Sequence, residues 1–358
     1  MLKNRIANVQ AILSAAGADA VYVTSRYNHR YFTGYDNEDG SVLITHRSAY
    51  VFADFRYIEV AHRDLDGIFE VIMPETPRAE YLGEILRRDG VRRLGYEDHH
   101  LSCFAGEQLK KDLPEDCALI PFGRRLEELR EIKDTYEIEQ MEKAQKLTDD
   151  AFSHILNVLT PEMTETEVAL ELEYYMRRNG AEDKSFDTIC VSGPSSSLPH
   201  GIPQNIKLRP GFLTMDFGAL VNGYHSDMTR TVCIGKATPE MKKLYHTVLE
   251  AQLRALETIS AGANNRAVDG IAHTLIERDY AGCFGHGLGH GVGLEIHESP
   301  RLSRVAPPAL TLRPVNVVTV EPGIYLAGQY GCRIEDMVLV TENGCKNFTK
   351  SPKELIEL

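Results

Sequence analysis

An asparagine–glycine pair between two β-rich runs is the feature that most restricts how this chain can fold. The pair is Asn222-Gly223, at the centre of the segment FLTMDFGALVNGYHSDMTRTVCI. It is favoured in two-residue β-hairpin turns because both of its positions tolerate a positive φ. The segment therefore predicts an antiparallel hairpin, and the turn determines which residues of the two strands face each other.

Two aspartates lie on the predicted hairpin. The turn places Asp216 opposite Thr229. It places Asp227 opposite Gly218, so the aspartates are diagonal neighbours on one face, roughly 7–8 Å apart at the backbone. Their carboxylates can then converge on one site. Because a buried carboxylate needs a counter-charge or a metal, the pair is a candidate for metal binding, with two strand-end residues facing water as the alternative.

A glycine- and histidine-rich stretch, GCFGHGLGHGVGLEIHE, occupies residues 282–298 and contains His286, His290 and His297. Its alternating glycines argue against a helix, since each interior glycine costs roughly 1 kcal/mol relative to alanine. They favour a loop or strand whose backbone passes close to another group. The stretch lacks the spacing of phosphate-binding loops and the HExxH motif of zinc proteases. Three histidines beside two acidic residues predict at least one ligand here, with structural histidines as the alternative.

A second pair of carboxylates lies nearer the C-terminal end. Glu321 closes the run VNVVTV immediately before a Pro-Gly turn, and Glu335 begins another apolar strand. A charge at the end of so apolar a run is difficult to explain as a solvated residue. For Glu335, a charge at a sheet edge is the alternative.

Together these residues form an oxygen-rich set of four carboxylates and one imidazole. Such a set suits Mn²⁺, Co²⁺ or Zn²⁺ better than copper or an iron–sulfur centre. Four carboxylates would overload one divalent ion, whereas two ions neutralise them, and two-metal sites are used in hydrolysis. The predicted ligands are Asp216, Asp227, His290, Glu321 and Glu335.

The chain has two regions with different patterns. In the first, β-rich runs at 20–24, 41–45, 49–54, 69–74, 92–97 and 117–122 alternate with helical patterns at 2–16, 56–65, 79–89 and 101–111. That alternation predicts a compact α/β domain over residues 1–124. The second predicted domain, 125–358, begins with one long charged helix that runs from Arg125 to near Pro161.

The rest of the second region reads as strands and glycine-rich loops with a few helices. Thr164 and Glu167 form a T-x-x-E capping box, which predicts a helix that extends to about Arg178. Two further helices are predicted at 239–260 and 267–278.

Charge and cysteine content exclude several classes of protein. The net charge of −13 supplies no basic footprint for nucleic acid. No apolar run approaches the roughly 18 residues of a membrane span, and the N-terminal pattern is that of a surface helix. The seven cysteines are scattered and form no CxxC pair, which indicates reduced thiols. We therefore expect a cytoplasmic protein.

Four motifs, in this order, resemble the pita-bread metallopeptidases, the family of aminopeptidase P, prolidase and methionine aminopeptidase. They are MDFGALVNGYHSDMTRT, GHGLGHGVGLEIHE, EPGIY and RIEDMVLV. The segments GADAVYVTSRYNHRYFTGY and FADFRYIEVA resemble the creatinase/prolidase N-terminal domain. The resemblance implies a small creatinase-type α/β domain followed by a pita-bread α+β catalytic domain, in a homodimer.

The resemblance also implies roles for individual ligands. Asp216 would ligate one metal, and His290 and Glu321 would ligate the other. Asp227 and Glu335 would bridge the two ions. Glu321 is also the family's usual candidate for moving a proton. One departure from the family pattern is a cysteine at position 332, where a larger aliphatic residue is expected.

Other residues match positions that contact substrate in the family. His286 and His297 match histidines that contact the substrate or stabilise the tetrahedral intermediate. His200 matches another active-site histidine, and Arg333 is expected to bind substrate. Arg301 resembles an arginine that contacts the dipeptide carboxylate in prolidases, with a solvated loop arginine as the alternative.

These features predict hydrolysis of the bond before proline in small peptides with proline at the second position. We expect an aminopeptidase P-like enzyme that releases the N-terminal residue and uses two divalent ions, Mn²⁺ first. An Xaa-Pro dipeptidase (prolidase) is the alternative. A metal-free creatinase-like amidinohydrolase and a non-catalytic binding module are disfavoured, because such proteins lack the complete ligand set that is present here.

Overall fold

The computed structural model of the protein describes residues 1–37, 39–75 and 77–358. The described residues divide into two compact units, Met1–Arg130 and Glu131–Leu358. The boundary predicted after residue 124 falls just before the helix Arg125–Arg130, which belongs to the first unit; the domain limits remain a prediction. Among the described residues, every helix is too short or too polar to span a membrane.

The first unit is built on a mixed sheet that, within the described residues, has the order β4-β3-β2-β1-β5-β6. Its strands are β1 (Ala20–Val23), β2 (Ser41–Thr45), β3 (Ala49–Phe52), β4 (Glu70–Ile72), β5 (Arg93–Tyr96) and β6 (Ala118–Pro121). The pairs β1–β2 and β2–β3 are antiparallel, and the other pairs are parallel. Each strand lies within a run predicted from the sequence, so the predicted α/β character of this region is confirmed.

The helices of the first unit include one that the sequence analysis did not predict. They are α1 (Leu2–Leu13), α2 (Arg26–Thr33), α3 (Ile58–Leu65), α4 (Arg78–Arg88), α5 (Cys103–Asp112) and α6 (Arg125–Arg130). The helix α2 is short and rich in tyrosine, asparagine and histidine, which are weak helix formers. It forms because Tyr31 and Phe32 are buried, and such packing overrides intrinsic propensity.

The long helix that was predicted to begin at Arg125 is interrupted. The chain leaves α6 and, after four intervening residues, starts a new helix, α7 (Thr135–Val158). Asp134 caps α7 in an extended conformation: its side chain accepts from the backbone N–H of Glu137, and the Glu137 side chain accepts from the backbone N–H of Asp134. This capping box ends the continuous helical pattern because an N-cap residue lies outside the helix.

Apart from a 3₁₀ helix at Gly193–Ser197, which was not predicted, the other helices of the second unit follow the sequence prediction. They are α8 (Glu165–Arg178), α9 (Pro239–Thr258) and α10 (Asn265–Glu277). At the start of α8, the predicted capping box is confirmed, with Thr164 and Glu167 bonded to each other's backbone N–H. The apolar faces of α7 and α8 pack on one group of strands and those of α9 and α10 on another.

The strands of the second unit are antiparallel where they pair. They are β7 (Asp183–Lys184), β8 (Ile189–Ser192), β9 (Gly211–Phe217), β10 (Ala219–Val221), β11 (Tyr224–His225), β12 (Met228–Ile234), β13 (Gly289–Gly291), β14 (Glu298–Leu302), β15 (Val317–Val320), β16 (Gly323–Leu326), β17 (Tyr330–Arg333), β18 (Asp336–Thr341) and β19 (Gly344–Asn347). Over the described ranges, the sheet orders are β11-β10-β7, β12-β9-β8, β14-β13-β15-β18-β19 and β16-β17.

The predicted hairpin register is confirmed, but the hairpin bends. Asp216 pairs with Thr229 across β9 and β12, and the turn residues Asn222 and Gly223 have positive φ. At Gly218, a Cβ atom would overlap the backbone carbonyl of the returning chain. The hairpin is divided between two sheets, with β9 and β12 in one and β10 and β11 in the other. The bend lies between these two sheets.

Candidate active site

A cavity of about 890 Å³ opens in the second unit. Its lining includes every site residue predicted from the sequence: His200, Asp216, Asp227, His286, His290, His297, Arg301, Glu321, Arg333 and Glu335. These residues span more than a hundred positions of the chain, so the structure brings together what the sequence separates. The roles of the individual residues remain proposals.

The five predicted ligands, here called the ligand cluster, come from different elements. Asp216 lies near the end of β9, and Asp227 lies at the bend before β12. His290 is the central residue of β13. Glu321 follows β15, and Glu335 lies between β17 and β18. The carboxylates lie at or next to the ends of β9, β12, β15 and β18, and His290 comes from the middle of β13, which pairs with β15.

Three members of the ligand cluster already have the spacing of a metal site. Ligand atoms of Asp227, His290 and Glu335 all lie within 4.8 Å of one another. His290 Nε2 is 3.5 Å from Asp227 Oδ2 and 3.4 Å from Glu321 Oε1. These distances allow one cation to be shared by several oxygen atoms and one nitrogen atom.

His290 is held in the form that a metal needs. Its Nδ1 is 3.1 Å from the carbonyl of Gly291, so Nδ1 carries the proton and Nε2 presents its lone pair to the carboxylates. Burial lowers the pKa of His290 to about 3, which keeps the ring neutral. The glycines beside it permit this placement, since a Cβ at Gly289 would overlap the carbonyl of Thr319.

The carboxylates of the ligand cluster are buried and repel one another. Burial, and then the charges of Glu335 and Asp216, raise the pKa of Asp227 well above its ordinary value. Burial and the charges of Glu321 and Asp216 do the same for the pKa of Glu335. For Glu321, burial raises the pKa to about 8. When fully ionised, the cluster would carry more negative charge than its surroundings balance, which fits divalent cations.

Arg333 partly offsets this charge. Its Nη2 is 2.5 Å from Asp216 Oδ2, and its other donors reach Thr229 Oγ1, Tyr325 Oη and the carbonyl of Pro199. Among the described residues, no group donates to the buried second oxygen of Asp216. A bound cation would satisfy this oxygen, because buried oxygens are normally paired.

Thr229 and Tyr325 are functional candidates that the sequence analysis did not name. Thr229 Oγ1 donates to Glu335 Oε2 over 2.8 Å. The Tyr325 hydroxyl is 3.0 Å from His286 Nε2 and accepts from Arg333. Both lie inside quoted motifs, and Thr229 was placed opposite Asp216 in the hairpin, so its proximity was predictable while its bond to Glu335 was not.

Three further predicted residues lie on the open side of the cavity. His200, His297 and Arg301, here called the rim, are exposed to solvent. The His297 ring packs edge-on against the His290 ring, with centroids 4.4 Å apart. The rim thus lies on the solvent-exposed side of the cavity, and His297 contacts the ligand cluster directly.

Part of the cavity wall is apolar and was not predicted. It is formed by Ala169 and Leu170 of α8 and by Phe186, Ile189, Ile202 and Val305. Ligand sites combine such apolar walls with a few placed polar groups. These residues share no motif, so their meeting depends on the fold.

Comparison with known proteins identifies the family. The description "Metallopeptidase family M24" matches residues 139–342, and "Creatinase/Prolidase N-terminal domain" matches residues 5–132. The structure is similar to that of a Bacillus anthracis Xaa-Pro dipeptidase, with a TM-score of 0.96 and 39% identity over 100% of both chains.

Two further relatives are also similar over almost the whole chain. A Pyrococcus horikoshii Xaa-Pro dipeptidase is 35% identical over 99% of this chain and 99% of its own length. An X-Pro aminopeptidase structure from Thermotoga maritima has a TM-score of 0.89 and 34% identity over 96% of this chain and 98% of its own. The resemblance and the two-part fold predicted from the sequence are confirmed: the chain belongs to metallopeptidase family M24, a family of hydrolases that use divalent metal ions, and it carries a creatinase/prolidase N-terminal domain.

Proposed function

We propose that this protein is a metal-dependent Xaa-Pro dipeptidase, which separates a first residue from a C-terminal proline. The observation that carries the proposal is that the ligand cluster and the rim line one cavity. Relatives named Xaa-Pro dipeptidase match almost the whole chain. They support a dipeptidase better than the aminopeptidase P activity that the sequence analysis favoured. Since an X-Pro aminopeptidase is also similar, peptide length is the property to test.

The ligand cluster is proposed to hold two divalent ions, with Asp227 and Glu335 shared between them. Mn²⁺ is the first candidate, followed by Co²⁺ or Zn²⁺, because carboxylates with one imidazole suit these ions. When bound, the ions would polarise the substrate carbonyl and activate water for attack. The chain itself supplies the position of the ligands, which Thr229 and Arg333 hold by hydrogen bonds.

Arg333 is better suited to this supporting role than to the substrate contact expected from the sequence. It is buried, and its donors are directed at Asp216, Thr229, Tyr325 and a backbone carbonyl. We therefore propose that it orients Asp216, since a buried guanidinium with paired donors has little capacity left for a peptide.

Glu321 is proposed to accept a proton during the attack and to deliver it to the proline nitrogen. Its side chain is 17% exposed, so the carboxylate reaches the cavity. His297 is proposed to stabilise the developing negative charge on the substrate. His286 is less suited to that task, because Nδ1 donates to the carbonyl of Gly287 and Nε2 accepts from Tyr325; we propose that His286 shapes the substrate pocket.

Arg301 is proposed to bind the carboxylate of the C-terminal proline. It lies on the exposed side of the cavity, in the strand that follows His297. Arginine pairs with carboxylates through two parallel hydrogen bonds. Such a contact favours dipeptides, since a longer peptide has an amide at that position.

The decisive experiment compares the dipeptide Leu-Pro with the tripeptide Leu-Pro-Ala after loading with Mn²⁺, Co²⁺ or Zn²⁺ in turn. We expect faster hydrolysis of Leu-Pro, with Leu-Ala as the control that lacks proline. A preference for the tripeptide would restore the aminopeptidase P assignment. Equal hydrolysis of Leu-Ala would contradict proline specificity.

Metal analysis distinguishes a metallopeptidase from an amidinohydrolase and from a binding module. We expect two equivalents of divalent ion per chain after Mn²⁺ loading and dialysis, and loss of hydrolysis after chelation. A protein that binds no ion and still cleaves creatine-like amidines would be a metal-free amidinohydrolase. A protein that binds no ion and cleaves nothing would be a binding module.

The homodimer and the cytoplasmic location also remain predictions. Sedimentation of the purified protein tests whether it is a homodimer.

A further inference from the structure

A buried ion pair lies beside the loop that carries His297. Lys133 Nζ is 2.6 Å from Glu298 Oε1, and the two side chains are 0% and 4% exposed. Neither residue belongs to the ligand cluster or to the rim. A buried ion pair seldom stabilises a protein more than apolar residues of the same size, because both charges lose their hydration. The pair therefore calls for a reason other than stability.

The Glu298 carboxylate occupies the inside of the loop 293–298. A Cβ atom at Gly293 would overlap that carboxylate, and the backbone N–H of Glu295 is 3.5 Å from its Oε2. The carbonyl of Gly293 in turn accepts from the backbone N–H of His225. The loop thus surrounds the carboxylate, and its first residue, Gly293, is hydrogen-bonded to the hairpin residue His225.

Lys133 approaches this loop from a segment that is itself fixed. Its backbone N–H donates to the carbonyl of Val315, and the Asn316 side chain donates to the carbonyl of Glu131 over 2.9 Å. The Lys133 ammonium group therefore comes from a segment just before α7 whose backbone is held by hydrogen bonds. It contacts the Glu298 carboxylate within the second unit.

We propose that Lys133 and Glu298 are positioning residues that hold His297 in place for the reaction, an inference that rests on the proposed function. Glu298 directly follows His297 and begins β14, so fixing its carboxylate restricts the backbone of His297. The His297 ring meets the His290 ring at an interplanar angle of 80°. A displacement of about 1 Å at such a group can reduce turnover roughly 100-fold.

The experiment is a double-mutant cycle with Lys133→Met and His297→Ala, measured as kcat and KM for Leu-Pro with Mn²⁺. We expect Lys133→Met to lower kcat by about 10- to 100-fold in the native background. In the His297→Ala background the same change should have little further effect. A loss of equal size in both backgrounds would overturn the proposal, because the pair would then act on something other than His297.

A second measurement does not depend on activity. Hydrogen exchange of the backbone in residues 293–298 should be faster in Lys133→Met and in the isosteric Glu298→Gln, while bound metal stays at the native level. Unchanged exchange in both variants would contradict the proposal. Glu298→Gln keeps the shape of the loop, so it carries the test if Lys133→Met does not fold.

Lys146→Met is the matched control, since Lys146 pairs with Asp150 on the exposed surface of α7. It should change neither turnover nor exchange. The proposed function fails if the native protein cleaves no Xaa-Pro peptide. If the native protein is active and His297→Ala is impaired but Lys133→Met is not, only the positioning inference fails. Full activity of His297→Ala also overturns the inference, because nothing would then need positioning.

Discussion

The ligand cluster and the rim face the same cavity but are built in different ways. The ligand cluster is mostly buried, with its carboxylates at or next to strand ends and His290 within β13. It is held by hydrogen bonds from Thr229 and Arg333 and by the bond that His290 donates to the carbonyl of Gly291. The rim residues are exposed on loops and an outer strand. The first arrangement holds ligand atoms close enough to share a cation. The second leaves room for a peptide to enter. Removing a ligand should therefore affect every substrate, whereas changing the rim should affect substrates selectively.

The largest effect is expected from Asp227→Asn. This change removes a charge that is proposed to be shared by both ions, and metal ions supply several kcal/mol of transition-state stabilisation, which corresponds to more than about 1000-fold in turnover. Bound metal, measured by mass spectrometry, should fall below two equivalents. Asp187→Asn is the control, because Asp187 lines the same cavity but its side chain is 98% exposed. If both changes had equal effects on turnover and bound metal, the ligand cluster would not differ in function from the exposed lining of the cavity.

Glu321→Gln should lower kcat by roughly 100-fold or more, because the amide cannot accept the proton that attack releases. Part of the bound metal should remain, since Asp227, His290 and Glu335 keep their ligand atoms close together. Turnover and metal content are measured on the same preparation. Retention of most activity would exclude Glu321 as the proton carrier.

A rim change should separate substrates by length. Arg301→Leu should raise KM for Leu-Pro by about 10- to 100-fold, since a hydrogen bond to a charged group contributes roughly 1.5–3 kcal/mol. The effect on Leu-Pro-Ala should be small, and metal content should not change. Arg278→Leu, an exposed arginine on the same unit, is the control. Equal changes in KM for both peptides would show that Arg301 does not bind the proline carboxylate.

The smallest effect is expected from Thr229→Val, which keeps the size of the side chain and removes its hydrogen bond to Glu335. One such bond contributes about 1 kcal/mol, so metal affinity measured by titration calorimetry should fall by roughly fivefold. Thr231→Val is the matched control, because this buried hydroxyl bonds to the Arg333 backbone and not to a ligand. If both variants bind metal alike, Thr229 does not support the ligand cluster.

Much of the site could be predicted because its signals are local. The Asn222-Gly223 turn determines the register that pairs Asp216 with Thr229, and alternating glycines exclude a helix around His290. The break between α6 and α7 was missed because the capping box at Asp134 lies inside a charged helical pattern. The helix α2 was missed because its stability comes from burial of Tyr31 and Phe32, which no local propensity reveals.

The sequence by itself determined which side chains are available for metal chemistry and which short segments present them. Turn geometry, glycine spacing and carboxylates at the ends of apolar runs act over a few residues, so they can be recognised in the sequence alone. Only the tertiary structure decided three hydrogen bonds: from Arg333 to Asp216, from Thr229 to Glu335, and from Lys133 to Glu298. Each of these contacts joins residues about a hundred or more positions apart. Such pairs are selected by packing of the whole unit, because burial makes each charged or polar group depend on the partner that the fold brings to it.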